Sequence, residues 1–139
     1  MDALLDALLG FAKTMLVARG AFYPFGAEVT LDGPVQMVTA DLDERSPEPD
    51  AVVAALDDRL RRDAAAGVIR GAGVCVDVRL EPADGRASDA IRVEIEHVGA
   101  EAVRVFLPYV VEAPGRVVFG ELLAEPGRGR VFSGREGRE

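Results

Sequence analysis

Val74-Cys75-Val76-Asp77-Val78-Arg79-Leu80 decides the fold of this chain. Apolar and polar residues alternate strictly, which is the period of a β-strand with one face toward a core. Val74, Val76, Val78 and Leu80 take one face, and Cys75, Asp77 and Arg79 the other. The pattern then recurs without a helix between. Ile91-Arg92-Val93-Glu94-Ile95-Glu96 alternates, Gly99 and Ala100 turn, and Val103-Arg104-Val105-Phe106-Leu107 follows as far as Pro108. Pro114-Gly115 turns once more into a strand from Arg116 to Leu123. Consecutive strands joined by turns predict an antiparallel sheet.

Upstream, Leu4, Leu5, Leu8, Leu9, Ala12, Met15 and Leu16 recur at helical spacing, predicting a helix over residues 2–18 that stops at Gly20. Ala27–Leu31 and Val35–Thr39 alternate on either side of Asp32-Gly33, a hairpin signal. Ser46-Pro47-Glu48 reads as cap, helix-opening proline and first-turn acid. A second helix runs from there to about Ala66, with Val52, Val53, Leu56 and Leu60 inward and Asp57–Arg61 and Asp58–Arg62 as outward ion pairs. The expected fold is α+β: a five- or six-stranded, mostly antiparallel sheet with both helices on one face, in the order α-β-β-α-β-β-β, with or without one more strand at the end. One domain covers residues 1–132, and residues 133–139 form a flexible tail.

The chain has 139 residues, 49% of them apolar, which is enough for one core. A net charge of −8 repels phosphate backbones and anionic lipid, which argues against nucleic-acid and membrane-surface roles. The single cysteine, Cys75, rules out an internal disulfide and fits a reducing compartment. The first sixteen residues lack a basic start and carry Asp2, Asp6 and Lys13, unlike a secretory leader. The expected location is a bacterial cytoplasm.

Assigning the alternating residues to faces puts Asp77, Arg79, Arg92, Glu94, Glu96 and Arg104 together on a charged sheet surface, with Phe106 among them. An aromatic ring there calls for a cover: a loop, the tail or another chain. Metal and triad chemistry find little support. Glu94 and Glu96 point opposite to His97, the one histidine, and Cys75 lies inside a strand. No cofactor, metal or catalytic residue is expected.

Phe22, Tyr23 and Phe25 sit in Gly20–Gly26, between the first helix and the first strand. Pro24 holds Tyr23 extended, so the rings project from a stiff connector. They either plug the helix–sheet junction or wall a pocket with the Tyr23 hydroxyl as its polar handle, and Tyr109 beside Pro108 can join them. Residues 20–27, 89–97 and 105–109 resemble a family of small uncharacterised bacterial proteins, over roughly residues 3–132. That resemblance implies a compact domain and no activity. The element order is also similar to roadblock-type domains, which implies dimerisation and partner binding. The expected function is a non-catalytic binding or protein-interaction module that forms a homodimer or takes a protein partner, through Phe22, Tyr23, Phe25, Arg92, Glu94, Phe106 and Tyr109. The alternative is a small-molecule binder or enzyme with a pocket near Tyr23.

Overall fold

The computed structural model describes residues 2–40, 48–80, 87–129 and 131–132. Helix α1 spans Ala3–Arg19. Its first turn is capped by Asp2, whose Oδ1 accepts from the N–H groups of Leu4 and Leu5 at 2.9 and 3.2 Å. Gly20, at φ 81°, ends it by donating its N–H to Leu16. Strands β1 (Phe25–Thr30) and β2 (Val35–Val38) form the expected hairpin. Helix α2 is Pro49–Ala65, and its opening proline is Pro49, with Glu48 as the residue before it. Ser46 and Pro47, read as the start of that helix, lie outside the described residues, as do residues 133–139. On α2, Arg61 pairs with Asp58 and Arg59 with Asp63, while Asp57 is buried.

The sheet continues through β3 (Ile69–Leu80), β4 (Ser88–His97), β5 (Val103–Ala113), β6 (Arg116–Phe119) and β7 (Leu123–Pro126). Its order is β2-β1-β3-β4-β5-β6, with β7 beside β6 on the same edge of β5, and all its pairings are antiparallel. The α+β class and the element order are as expected. Among the described residues the strands number seven, because the run read as one strand, Arg116–Leu123, breaks at Gly120 into β6 and β7. Pro108 lies within β5 where its neighbour changes from β7 to β6. Its carbonyl accepts from Gly120 on that side, so the missing N–H falls at the break, where the ladder needs no donor.

Two features correct the expected layering. First, the helices lie on opposite faces of the sheet. Leu4, Leu8, Leu9, Ala12 and Leu16 of α1 pack with Phe25, Ala27, Cys75, Ile91, Val93, Ile95 and Leu107. Val52, Leu56, Leu60 and Ala64 of α2 pack with Val38, Ile69, Ala72, Val74 and Val76. Strand β3 is central, so both its faces are buried over Ala72–Val76. Second, the strands are one residue out of phase with the expected alignment. Val93 opposes Cys75, Ile91 opposes Asp77 and Glu94 opposes Val74. Asp77 and Arg79 therefore belong to the α1 face, and Arg92, Glu94, Glu96, Arg104 and Phe106 to the α2 face. The alternation fixes phase within a strand, whereas phase between strands is set by the turn, and a one-residue slip exchanges the faces.

Strand β3 also begins five residues earlier than its alternation shows, through Gly71-Ala72-Gly73. A Cβ at Gly73 would stand 2.6 Å from Leu8 Cδ1, and one at Gly71 would stand 2.8 Å from His97 Nδ1. These strand glycines admit α1 and the His97 ring to the sheet. His97 Nε2 lies 3.1 Å from Asp2 Oδ2, joining the end of β4 to the cap of α1. Burial pushes the Asp2 carboxyl up, but His97 and the two helix N–H groups together hold it below the usual carboxylate range.

Candidate functional site

Strand β1 begins opposite Cys75, so β3 runs on past it from Val76 to Leu80. The connector 20–24 crosses this uncovered edge. A pocket of about 580 Å³ opens there, lined by Met15, Arg19, Ala21, Phe22, Tyr23, Pro24, Pro49, Val76 and Asp77. The aromatic connector does two jobs. Phe22 and Phe25 are buried, edge-to-face at 5.8 Å, and Phe11 stacks edge-on to Phe25 at 4.8 Å. Tyr23 is 51% exposed and walls the pocket.

The polar floor is Asp77. It accepts a 2.6 Å hydrogen bond from the Tyr109 hydroxyl and another from the Phe22 N–H. Burial pushes the Asp77 carboxyl above the usual carboxylate range despite those donors. Burial, and then the Asp77 carboxylate, push the Tyr109 phenol up, so it is a neutral donor at neutral pH. Arg19, in the last turn of α1, brings a cation to the rim. The pocket thus has apolar walls, the Tyr23 phenol, the Asp77 carboxyl with its raised pKa, and the Arg19 guanidinium. No family model, curated protein or solved structure matches the chain.

The seven residues expected to form a site do not meet. Phe22, Phe25 and Tyr109 lie on the α1 side, Tyr23 on the exposed wall of the pocket, and Arg92, Glu94 and Phe106 on the α2 side. Glu94 pairs with Arg104, directly opposite on β5, and Arg104 reaches Glu125 of β7 at 3.2 Å. Phe106 stands between Arg92 of β4 and Leu123 of β7, half-buried. Arg92 borders a cleft of only about 20 Å³ with Asp57, Glu94, Glu96 and Val131.

Two features escaped the sequence reading. Arg19 and Met15 join the pocket only because α1 ends against the connector, and a helical pattern does not show what its last turn faces. Glu28, alternating inside β1, is 3% exposed on the α2 side. Its Oε2 accepts from Gln36 Nε2 at 2.8 Å and its carboxyl meets that of Asp63, which Arg59 approaches at 3.6 Å. Burial, reinforced by Asp63, raises the Glu28 pKa.

Cys75 is fully buried between α1 and the sheet, and burial pushes its thiol far above the ordinary value. We therefore expect a thiol-labelling reagent at pH 8 to modify it only as fast as the fold opens, with the rate rising in step with urea. Prompt stoichiometric labelling of the native protein would contradict the buried position.

Proposed function

We propose that this chain is a non-catalytic binding module of a bacterial cytoplasm that seats a small amphipathic ligand at the junction of α1 and β1. The observation that carries the reading is the pocket itself. Its 580 Å³ lies in the range of small-ligand sites, and apolar walls with a few converging polar groups are the usual make-up of such sites. A flat or branched apolar body fits against Phe22, Met15 and Val76, an anionic end against Arg19, and a hydrogen-bond donor against Asp77. The thiol is buried and the Tyr109 hydroxyl is spent on Asp77, which supports binding over catalysis. The location rests on the single cysteine and on the absence, among the described residues, of a helix long and apolar enough to cross a membrane.

A thermal-shift screen of small aromatic and branched carboxylates tests this. Ligand present at a hundred times its Kd adds about 2.7 kcal/mol to stability. The shift should vanish in Arg19→Ala and shrink in Tyr23→Ala, both changes at exposed or rim positions. If no carboxylate moves the midpoint, or Arg19→Ala keeps the full shift, the pocket is not a ligand site.

A second reading, a protein partner or a second copy, is favoured by one observation. Val110, Val118, Leu122 and Leu123 are each about half exposed near the β6–β7 edge.

A further inference from the structure

The segment after β7 does not trail away from the sheet. Gly127 donates its N–H to Ala102 at 2.9 Å and turns the chain off the edge. A Cβ on Gly127 would stand 3.1 Å from Glu94 Oε1 and from the Val103 backbone, and Gly129 adopts φ 69°. The segment then crosses the α2 face of β4. Glu96, only 8% exposed, receives the Val131 N–H on Oε1 at 2.6 Å and the Phe132 N–H on Oε2 at 3.4 Å. The Phe132 ring is 3% exposed and completes the cluster of Val52, Leu56, Val74 and Val76. A buried carboxylate on this face thus finds its donors in the backbone of a short segment tethered through glycines.

The tether does not fill the space it crosses. A cavity of about 490 Å³ runs along it, bordered by Glu96, Glu101, Ala102, Arg128 and Phe132. Charge matches as well. Residues 127–139 carry four arginines against two glutamates in a chain of net charge −8, and Glu94, Glu96, Glu101 and Asp57 line the path, outnumbering Arg92 beside them and Arg104, which pairs with Glu94.

We propose that the groove between α2 and β4 is a docking site for a basic extended segment with an aromatic plug, and that it accepts residues 127–132 of a second copy in place of the chain's own. The recognition is chemical: two successive N–H groups on the Glu96 carboxylate, a ring in the α2–β3 cluster, and guanidinium groups along an acidic rim. The chain's own segment already makes the first two contacts and places Arg128 on the border of the cavity, so exchange between copies makes the same contacts again and needs only the glycine tether to swing. Its own segment competes at the high local concentration that a short tether provides.

The test uses the full chain and a fluorescent peptide of residues 127–139. Phe132→Ala vacates the plug site, so this variant is expected to bind the peptide at least about tenfold more tightly than the wild type does. The affinity should fall when salt is raised from 50 to 200 mM, and a peptide carrying the same alanine change should not bind. A folded Phe132→Ala chain that ignores the peptide overturns the proposal. Should that variant lose its circular-dichroism signal, Glu96→Gln is the second variant. It weakens the carboxylate clamp, so trypsin should cut after Arg128 several-fold faster than in the wild type, and an unchanged cutting rate overturns the proposal. For the second copy, light scattering on the wild type at increasing concentration should show a dimer that excess peptide dissociates. A monomer at every concentration rejects the exchange between copies.

Discussion

Leu8→Ala and Leu56→Ala are each expected to destabilise the fold by about 3–5 kcal/mol, a large share of the stability of a domain this size. Both side chains are fully buried, one under each helix. By contrast, Leu31, at 61% exposure, should change stability by less than about 0.5 kcal/mol when cut to alanine. The two core changes also distinguish the faces. Gly73→Ala drives a Cβ toward Leu8 Cδ1, so it is destabilising in the wild type. In a Leu8→Ala background that obstacle is gone, and the added cost of Gly73→Ala should fall by about 1–2 kcal/mol. The contact with the Glu94 carbonyl at 3.1 Å leaves a remainder. In a Leu56→Ala background the cost should stay as in the wild type, because Leu56 lies across the sheet. Urea unfolding of these variants measures both couplings. Equal coupling to Leu8 and Leu56 would place the helices on one face.

That double layering marks the limit of what alternation conveys. Ile91-Arg92-Val93-Glu94-Ile95-Glu96 states that its isoleucines and valine share a face, and they do. It does not state which residues of β3 they face. The valines at 74, 76 and 78 look like natural companions, yet they sit under α2 while Ile91, Val93 and Ile95 sit under α1. On a central strand both faces are covered, so Cys75 and Gly73 are as much core positions as Val74. Small residues in the polar phase were the legible sign of this, because a wet face has no need of Gly71, Gly73 and Cys75. The helix ends, the hairpin and the turns were readable from local chemistry: Gly20, Gly67, Gly99 and Gly115 all adopt positive φ where the chain reverses or a helix stops. The pocket was half readable. Tyr23 was visible as a candidate pocket wall, but Asp77 reaches the pocket only through the register that the alternation leaves open. Phe132, a lone ring in a run of glycine and arginine, was the one mark in the tail that a buried plug leaves in sequence.

Glu28→Gln is expected to stabilise the protein by about 1–3 kcal/mol at pH 8 and by much less at pH 5. Glu28 is held between the β1–β2 hairpin and α2, with Gln36 on one oxygen and the Asp63 carboxyl beside it, and its Oε1 has no donor among the described residues. Arg59 reaches the pair from α2 through Asp63. Two carboxyl groups in contact under α2 hold together when one of them carries a proton. Because the folded pKa of Glu28 lies above its unfolded value, the native state binds that proton more tightly than the unfolded chain does. The resulting stabilisation is complete below about pH 4.5, the ordinary value, and drains away as pH rises through the folded pKa. Glutamine stays neutral throughout, accepts from Gln36 through its oxygen and donates to Asp63 through its amide, so it keeps at pH 8 what glutamate has lost. Asp77, also raised, loses stabilisation in the same direction, and Asp2, lowered, loses its own only on the acid side. Neither differs between wild type and variant, so the difference in urea-unfolding free energy between the two chains isolates Glu28. A difference that is the same at pH 5 and pH 8, or a variant less stable than wild type at pH 8, would mean that Glu28 is an ionised partner of Arg59 instead of the proton-bearing half of a carboxyl pair.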